Sequence, residues 1–242
     1  MVLNIFNMPK KFCKELQIKE CISRRVFCIC NHILHHQFFE AIPREEVHKI
    51  SSIADVVRIS SGEHLFFKGS AIEKIFFVLE GQVKIYANDL DSDREFISEF
   101  VVDSGSIGLE FLLLPNHVWQ YHGKSLVDSI ILTIDKDILL RITNRNVELL
   151  NNLIKFLSLS VVQQNQKSQD LVLTEVSERL WNYLQNLAKY HDSKKFTLPL
   201  NKTELAYYLG TIPETLSRTF TKLKKNRKIK IEKNEIEILT KA

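Results

Sequence analysis

The run Leu198-Pro-Leu-Asn-Lys-Thr-Glu-Leu-Ala-Tyr-Tyr-Leu-Gly-Thr-Ile-Pro-Glu-Thr-Leu-Ser-Arg218, continued by Thr219-Phe-Thr-Lys-Leu-Lys-Lys225, decides how the chain is to be read. It holds two short helical patterns, Lys202–Leu209 and Pro213–Lys225, with Gly210 between them. Glycine enters the left-handed conformation of a tight turn without a Cβ clash. Pro213 opens the second helix at a position where its missing N–H has no partner to lose. Leu205, Ala206 and Leu209 are spaced to face Leu216, Phe220 and Leu223, and the small Ala206 lets the helices approach. Beyond them, Lys228-Ile-Lys-Ile-Glu-Lys-Asn-Glu-Ile-Glu-Ile-Leu239 alternates apolar and charged residues about a Lys233-Asn234 turn, the pattern of a half-buried hairpin. Helix, turn, helix and hairpin make a winged helix-turn-helix.

Charge follows the same boundaries. The whole chain carries a net charge of +4, which would mean little if spread evenly. From Arg218 to Lys233, however, it has Arg218, Lys222, Lys224, Lys225, Arg227, Lys228, Lys230 and Lys233 against the single acid Glu232. So local a basic run is the footprint of phosphate contact. Glu214, Ser217 and Arg218 stand at i, i+3 and i+4 and share one face near the start of the second helix. In a recognition helix that end meets base edges: Arg bonds guanine O6/N7, Glu accepts from cytosine N4, and Ser bonds base or phosphate. Thr203, Thr215, Thr219 and Lys222 flank this face and suit backbone contacts, which position the protein without specifying sequence. Taken alone, Glu214 and Arg218 would also read as a surface ion pair. The turn, the facing apolar set, the hairpin and the basic run together favour double-stranded DNA.

Upstream, Ser177–Tyr190 is rich in helix formers, His191-Asp-Ser breaks it, and Phe196-Thr-Leu-Pro-Leu200 reads as a short strand. Before that, Leu150, Ile154, Leu157, Val161, Gln164, Ser168 and Leu171 step by four and three along one helix, a heptad seam that suits a second copy of the chain. Leu149, Leu153, Phe156 and Leu159 form a second apolar flank for packing within the subunit. From Val56 to Ile134 the texture is different: short β-branched and aromatic runs separated by Ser61-Gly62, Lys68-Gly69, Glu80-Gly81, Asn88-Asp89, Ser104-Gly105 and Pro115-Asn116. Many evenly spaced strands without intervening helices predict an antiparallel roll, barrel or sandwich. Residues 3–50 are mixed and mostly helix-like, with Pro43 at the first turn of a short helix. The predicted class is α+β. Its parts are an N-terminal arm (1–34), a β-roll (35–140), a long dimerisation helix (141–172) and a winged helix-turn-helix (173–242).

The quoted run resembles the helix-turn-helix of the Crp/Fnr superfamily of bacterial regulators, and Pro213-Glu-Thr-Leu-Ser-Arg218 resembles its Fnr and Dnr-like branches. The catabolite-activator branch has an Arg directly before the Glu, where this chain has Pro213. Gly62-Glu-His-Leu-Phe-Phe-Lys-Gly69 and Ile75-Phe-Phe-Val-Leu-Glu-Gly-Gln-Val-Lys-Ile-Tyr86 are similar to the first strands of the family's cyclic-nucleotide-binding-like domain. The resemblance spans about residues 35–240. It implies a homodimeric transcriptional regulator, an activator that also meets RNA polymerase, with Glu214, Ser217 and Arg218 reading a palindrome of TTGA-type half-sites. Ile212 departs from the pattern, which usually has a capping Thr or Ser there, and implies a weaker helix start.

The signal is harder to read. Members that bind cyclic AMP resemble one another in a cassette with a Gly-Glu and, about ten residues later, an Arg-Ser that neutralises the phosphate. In one alignment the Glu slot holds Leu109 and the Arg-Ser slot falls at Trp119-Gln120. Shifted by one, Glu110 serves but Gln120-Tyr121 takes the cation's place, and no Arg lies between Arg94 and Arg141. A buried phosphate without a guanidinium is poorly compensated, so cyclic AMP is disfavoured, although Lys124 supplies one nearby charge. An iron–sulfur cluster would fall to Cys13, Cys21, Cys28 and Cys30, but these lack a Cys-x-x-Cys, no later Cys follows, and three of them share one helical stripe. A redox thiol or zinc site would draw on the same cysteines. Some Dnr-like relatives bind haem, for which His64, His117 or His122 would be the axial candidates. The cofactor stays unassigned.

Competing classes find less support. A cyclic-nucleotide-responsive or protein-interaction module without specific DNA binding would not need the basic recognition helix. A cupin-type metalloenzyme needs a close His-x-His pair with further ligands, whereas His64, His117 and His122 stand alone in the roll. No nucleophile–base set or phosphate-binding glycine loop appears, so no enzyme is predicted. No apolar run approaches a membrane span, and no signal peptide is recognisable, which predicts a cytoplasmic protein without a membrane partner.

Overall fold

The computed structural model describes residues 33, 36–88, 95–232 and 235–239. Cys13, Cys21, Cys28 and Cys30, and the Lys233-Asn234 turn, lie outside the described residues. The chain divides into two compact units. Among the described residues, one comprises 33, 36–87 and 99–161 and the other 88, 95–98, 162–232 and 235–239.

The first unit begins with a 3-10 turn, Gln37–Phe39, and helix α1, Arg44–Ile53. Pro43 sits at the N-cap of α1, one residue before the expected first turn, and Glu45 and Glu46 meet the helix's positive end. Strands β1 (Asp55–Ile59), β2 (His64–Phe66), β3 (Lys74–Glu80), β4 (Gln82–Asn88), β5 (Glu95–Val102), β6 (Ser106–Ile107), β7 (His122–Ser125) and β8 (Ser129–Asp135) follow. They form two four-stranded sheets, ordered β1-β8-β3-β6 and β2-β7-β4-β5. This is the predicted roll. In register, β8 sets Leu132 opposite Phe77 and Ile131 opposite both Val78 and Val57.

Consecutive residues Phe77 and Val78 are both buried, as are Ile131 and Leu132. Alternating side chains point to opposite faces of a strand, so this sheet is covered on both. One cover is aromatic: Phe39 lies 5.1 Å from the Phe77 ring and His36 4.9 Å from it. Phe38, Val47, Ile50, Leu139, Leu149 and Leu153 join the same core.

Helix α2 (Lys136–Thr143) and helix α3 (Val147–Leu173) replace the single helix expected from residue 141. The break has a local cause. The Asn146 carboxamide oxygen accepts from the backbone N–H groups of Glu148 and Leu149 at 3.0 and 3.1 Å, capping a new helix. The flank Leu149 and Leu153 is buried, Phe156 packs on the core, and Asn152 donates to the Phe38 and Glu40 carbonyls at 3.1 and 2.8 Å. Seam residues divide. Leu150 and Leu157 are half-buried, Leu157 against the subunit's own core, while Ile154 and Val161 are 61% and 60% exposed and Gln164 is exposed.

In the second unit, α4 (Val176–Tyr190), β9 (Lys195–Thr197), α5 (Lys202–Tyr208), α6 (Pro213–Lys225), β10 (Ile229–Glu232) and β11 (Glu235–Ile238) follow the end of α3. The hairpin β10–β11 is the expected wing, and β9 joins it to make a three-stranded sheet ordered β10-β11-β9. The strand expected over 196–200 stops at Thr197, just before Leu198-Pro199, since proline cannot donate to a ladder. No helix among the described residues is long and apolar enough to cross a membrane.

Candidate nucleic-acid interface

The helix-turn-helix is built around the apolar set its spacing predicted. Leu205, Ala206, Leu209, Leu216, Phe220 and Leu223 are all buried. A capping box starts α5: Asn201 accepts from the Glu204 N–H at 2.9 Å, and Glu204 accepts in return from the Asn201 N–H at 3.4 Å. Its end is a Schellman turn, with Gly210 at φ +64°, Thr211 N–H bonded to Ala206 and Gly210 N–H to Tyr207. Ile212 is the N-cap of α6 and makes no side-chain cap bond, as its departure from the family pattern implied.

On α6, Glu214, Ser217 and Arg218 are exposed on one face, and among the described residues no ion pair joins Glu214 to Arg218. Lys222 continues that face, Thr215 is half-buried, and Thr203 is exposed on α5. Thr219 does not flank it. It is buried, and its hydroxyl donates to the Thr215 carbonyl at 2.8 Å. Position 219 belongs to the stripe 216, 219, 220, 223, three and four residues apart, so the packed side claims it. Thr221, absent from the expected contact set, and Lys225, expected only as part of the basic run, are exposed at i+7 and i+11 from Glu214. The same periodicity would have found them.

The basic run divides by environment. Lys230 pairs with Glu232 at 2.6 Å, and this hydrogen bond holds the ammonium above and the carboxylate below their usual ranges. Lys228 lies 5.0 Å over the Trp181 ring. Arg218, Lys222, Lys224, Lys225 and Arg227 are exposed to solvent, so among the described residues the cations of this run that make no ion pair gather on α6 and just beyond its end.

In the first of the two cassette alignments, apolar side chains hold both slots of the roll. Leu109, in the Glu slot, is buried in the 3-10 turn Leu109–Phe111. Trp119, in the cation slot, is buried and stacks on Phe66 at 3.7 Å, with Phe76 and Phe111 at 6.0 and 5.8 Å from it. A Cβ on Gly108 would come within 2.8 Å of that indole. In that alignment an aromatic cluster stands where the resemblance puts the cassette's cation. Of the haem candidates, His64 and His122 are neighbours on β2 and β7 (ring centroids 6.4 Å), with His64 Nε2 bonded to the Tyr86 hydroxyl at 3.0 Å. Exposed His117 lies apart from that pair, beside Phe111.

Comparison with known proteins agrees with this architecture. Residues 56–146 match the cyclic nucleotide-binding domain family, and residues 178–242 match the Crp-like helix-turn-helix domain family. The chain is 26% identical over 186 residues to the transcriptional activator protein Anr of Pseudomonas protegens, covering 75% of each. It is 23% identical over 238 residues to the transcriptional activatory protein AadR of Rhodopseudomonas palustris, covering 96% of this chain and 93% of that one. Among solved structures, FixK2 from Bradyrhizobium japonicum superposes with a TM-score of 0.68 at 17% identity, over 78% of this chain and 93% of that chain. The c-di-GMP-responsive regulator CLP of Xanthomonas campestris gives 0.71 at 17% identity, over 82% of this chain and 100% of that chain. With both halves matched in the order the fold requires, the chain belongs to the Crp/Fnr family of transcriptional regulators.

Proposed function

We propose that this regulator is a homodimer that binds a palindromic operator of TTGA-type half-sites, one recognition helix to each half-site, and activates transcription through contact with RNA polymerase in the cytoplasm. The observation that carries the reading is the exposed face of α6, where Glu214, Ser217 and Arg218 precede Lys222 and Lys225. Base-reading groups near the N-terminus and cations farther along are the order in which such a helix enters the major groove and then meets phosphate. The named activators among its relatives support the direction of regulation. The seam through Leu150, Ile154, Leu157, Val161 and Gln164 supplies the dimer contact, and two exposed β-branched residues on it suit a partner helix.

A binding titration with a TTGA palindrome, a scrambled duplex and a salt series tests the proposal. Specific binding should be at least about a thousandfold tighter than to the scrambled duplex, and should weaken as salt rises. Equal affinity for both duplexes would remove it. The alternative, a cyclic-nucleotide-responsive module without specific DNA binding, has the buried Leu109 and Trp119 against it.

A further inference from the structure

The joint between α3 and α4 consists of only Thr174 and Glu175. Two residues could hold many directions, yet one side chain ties them down. Arg179, on the first turn of α4, directs Nη1 to the carbonyls of Asp170 and Leu171, both at 3.2 Å, and of Thr174. Its Nε donates to the carbonyl of Leu209 at 3.0 Å. Asp170 and Leu171 lie in the last turn of α3, and Leu209 is the C-cap of α5. One guanidinium therefore sits at the negative ends of two helices, where a cation is favoured and the final carbonyls need donors.

A second observation places the same parts together. Gly210, the left-handed residue of the helix-turn-helix turn, lies so close to α3 that a Cβ there would stand 2.5 Å from Leu171 Cδ2. The turn and the last turn of α3 thus meet twice, once through Arg179 and once through the bare face of Gly210. All four bonds end on backbone oxygens, so they fix the paths of helices rather than side-chain rotamers. The planar fork is what allows a single residue to reach both ends; an ammonium is a point donor.

We infer that Arg179 is the positioning residue that sets the angle of the helix-turn-helix on the dimerisation helix, and with it the half-site spacing the dimer accepts. The inference rests on the dimeric palindrome reading above. In a dimer joined along α3, a change of direction at Thr174-Glu175 moves the two recognition helices in opposite senses. Their separation must match one helical turn of DNA, about 34–36 Å. Arg179 itself need not touch DNA for this.

The experiment compares the full-length wild type, Arg179→Ala and Arg179→Lys on four duplexes: the intact palindrome, a single half-site, and palindromes with the spacer one base pair longer or shorter. Wild type should prefer the intact palindrome to the half-site and reject both altered spacers. Arg179→Ala should lose about tenfold or more of the palindrome-to-half-site ratio, since bivalent binding depends on both sites being reached at once. It should also accept altered spacers more evenly, with half-site affinity held within about twofold. Arg179→Lys should fall between. An unchanged ratio and spacer profile in Arg179→Ala would overturn the assignment, as would palindrome and half-site affinities falling in parallel. If Arg179→Ala fails to fold by melting, Arg179→Lys carries the test, and a wild-type spacer profile in it overturns the assignment. A wild type that itself shows no preference for the palindrome instead removes the dimeric-operator reading.

Discussion

At the scale of single residues, the side chains that matter most are those whose surroundings leave one role. Arg218 is exposed on the face of α6 proposed to read bases, and among the described residues it makes no ion pair or side-chain hydrogen bond. Arg218→Ala should cost about 1–3 kcal/mol at the preferred operator and relax discrimination at one base pair, with melting temperature and dimer unchanged. Affinity unchanged at that operator in a titration would remove Arg218 from the reading face. His36 is the opposite case, buried so completely that desolvation pushes its pKa down to about 4 from 6.5. Its Nδ1 accepts from the Phe38 N–H, and its Nε2 has no partner among the described residues. Above pH 6.5 the ring is neutral folded and unfolded, and contributes nothing to pH dependence. As pH falls from 6.5 toward 4, the unfolded chain takes up a proton that the folded one refuses. Stability therefore falls over that window, by about 3 kcal/mol from this source. Urea unfolding across the window should show His36→Phe losing about one proton of that slope; an identical slope would exclude His36 as its origin.

At the scale of elements, helix ends explain more than helix interiors. Helix α5 begins with a full capping box and ends in a glycine turn, whereas the N-cap of α6, Ile212, makes no side-chain cap bond. Ile212 is 38% exposed, so replacing it loses little packing. Ile212→Thr should stabilise the DNA-binding unit by about 1 kcal/mol, read as an increased denaturation midpoint with unchanged denaturant dependence. A lower midpoint would mean that the isoleucine packs more than it fails to cap. Spacing made these elements legible: the turn at Gly210, the buried face of α6 and the alternation of the wing each repeat within a dozen residues. Thr219 leaves the expected flank because its place in the stripe 216, 219, 220, 223 outweighs its hydroxyl. Splitting the long helix at Asn146 was also within reach, since Asn is a strong N-cap, but a cap inside an otherwise helical pattern competes with continuation of the helix.

For the whole molecule, the question is which apolar surface belongs to the subunit and which to a second copy. Leu157 lies partly against its own core, so a charge there would disturb folding and association together. Ile154 is the cleaner probe. Ile154→Glu places like charges across the proposed seam, and sedimentation should show a dimer weakened by at least about tenfold, with a melting temperature below that of the wild type at equal concentration. A wild-type dimer in that variant would place the seam elsewhere. Sequence alone determined the order and kind of the parts, because strand alternation, helical stripes, turn residues and the basic run are local patterns set by backbone geometry. It also put Glu214, Ser217 and Arg218 on one exposed face by helical arithmetic. Only the tertiary structure decided that Trp119 and Phe66 fill the roll, that β9 completes the wing sheet, and that Arg179 joins the ends of two helices. Each of these joins residues distant in the chain, and no short window of sequence states which carbonyl or ring a side chain will meet once the layers close.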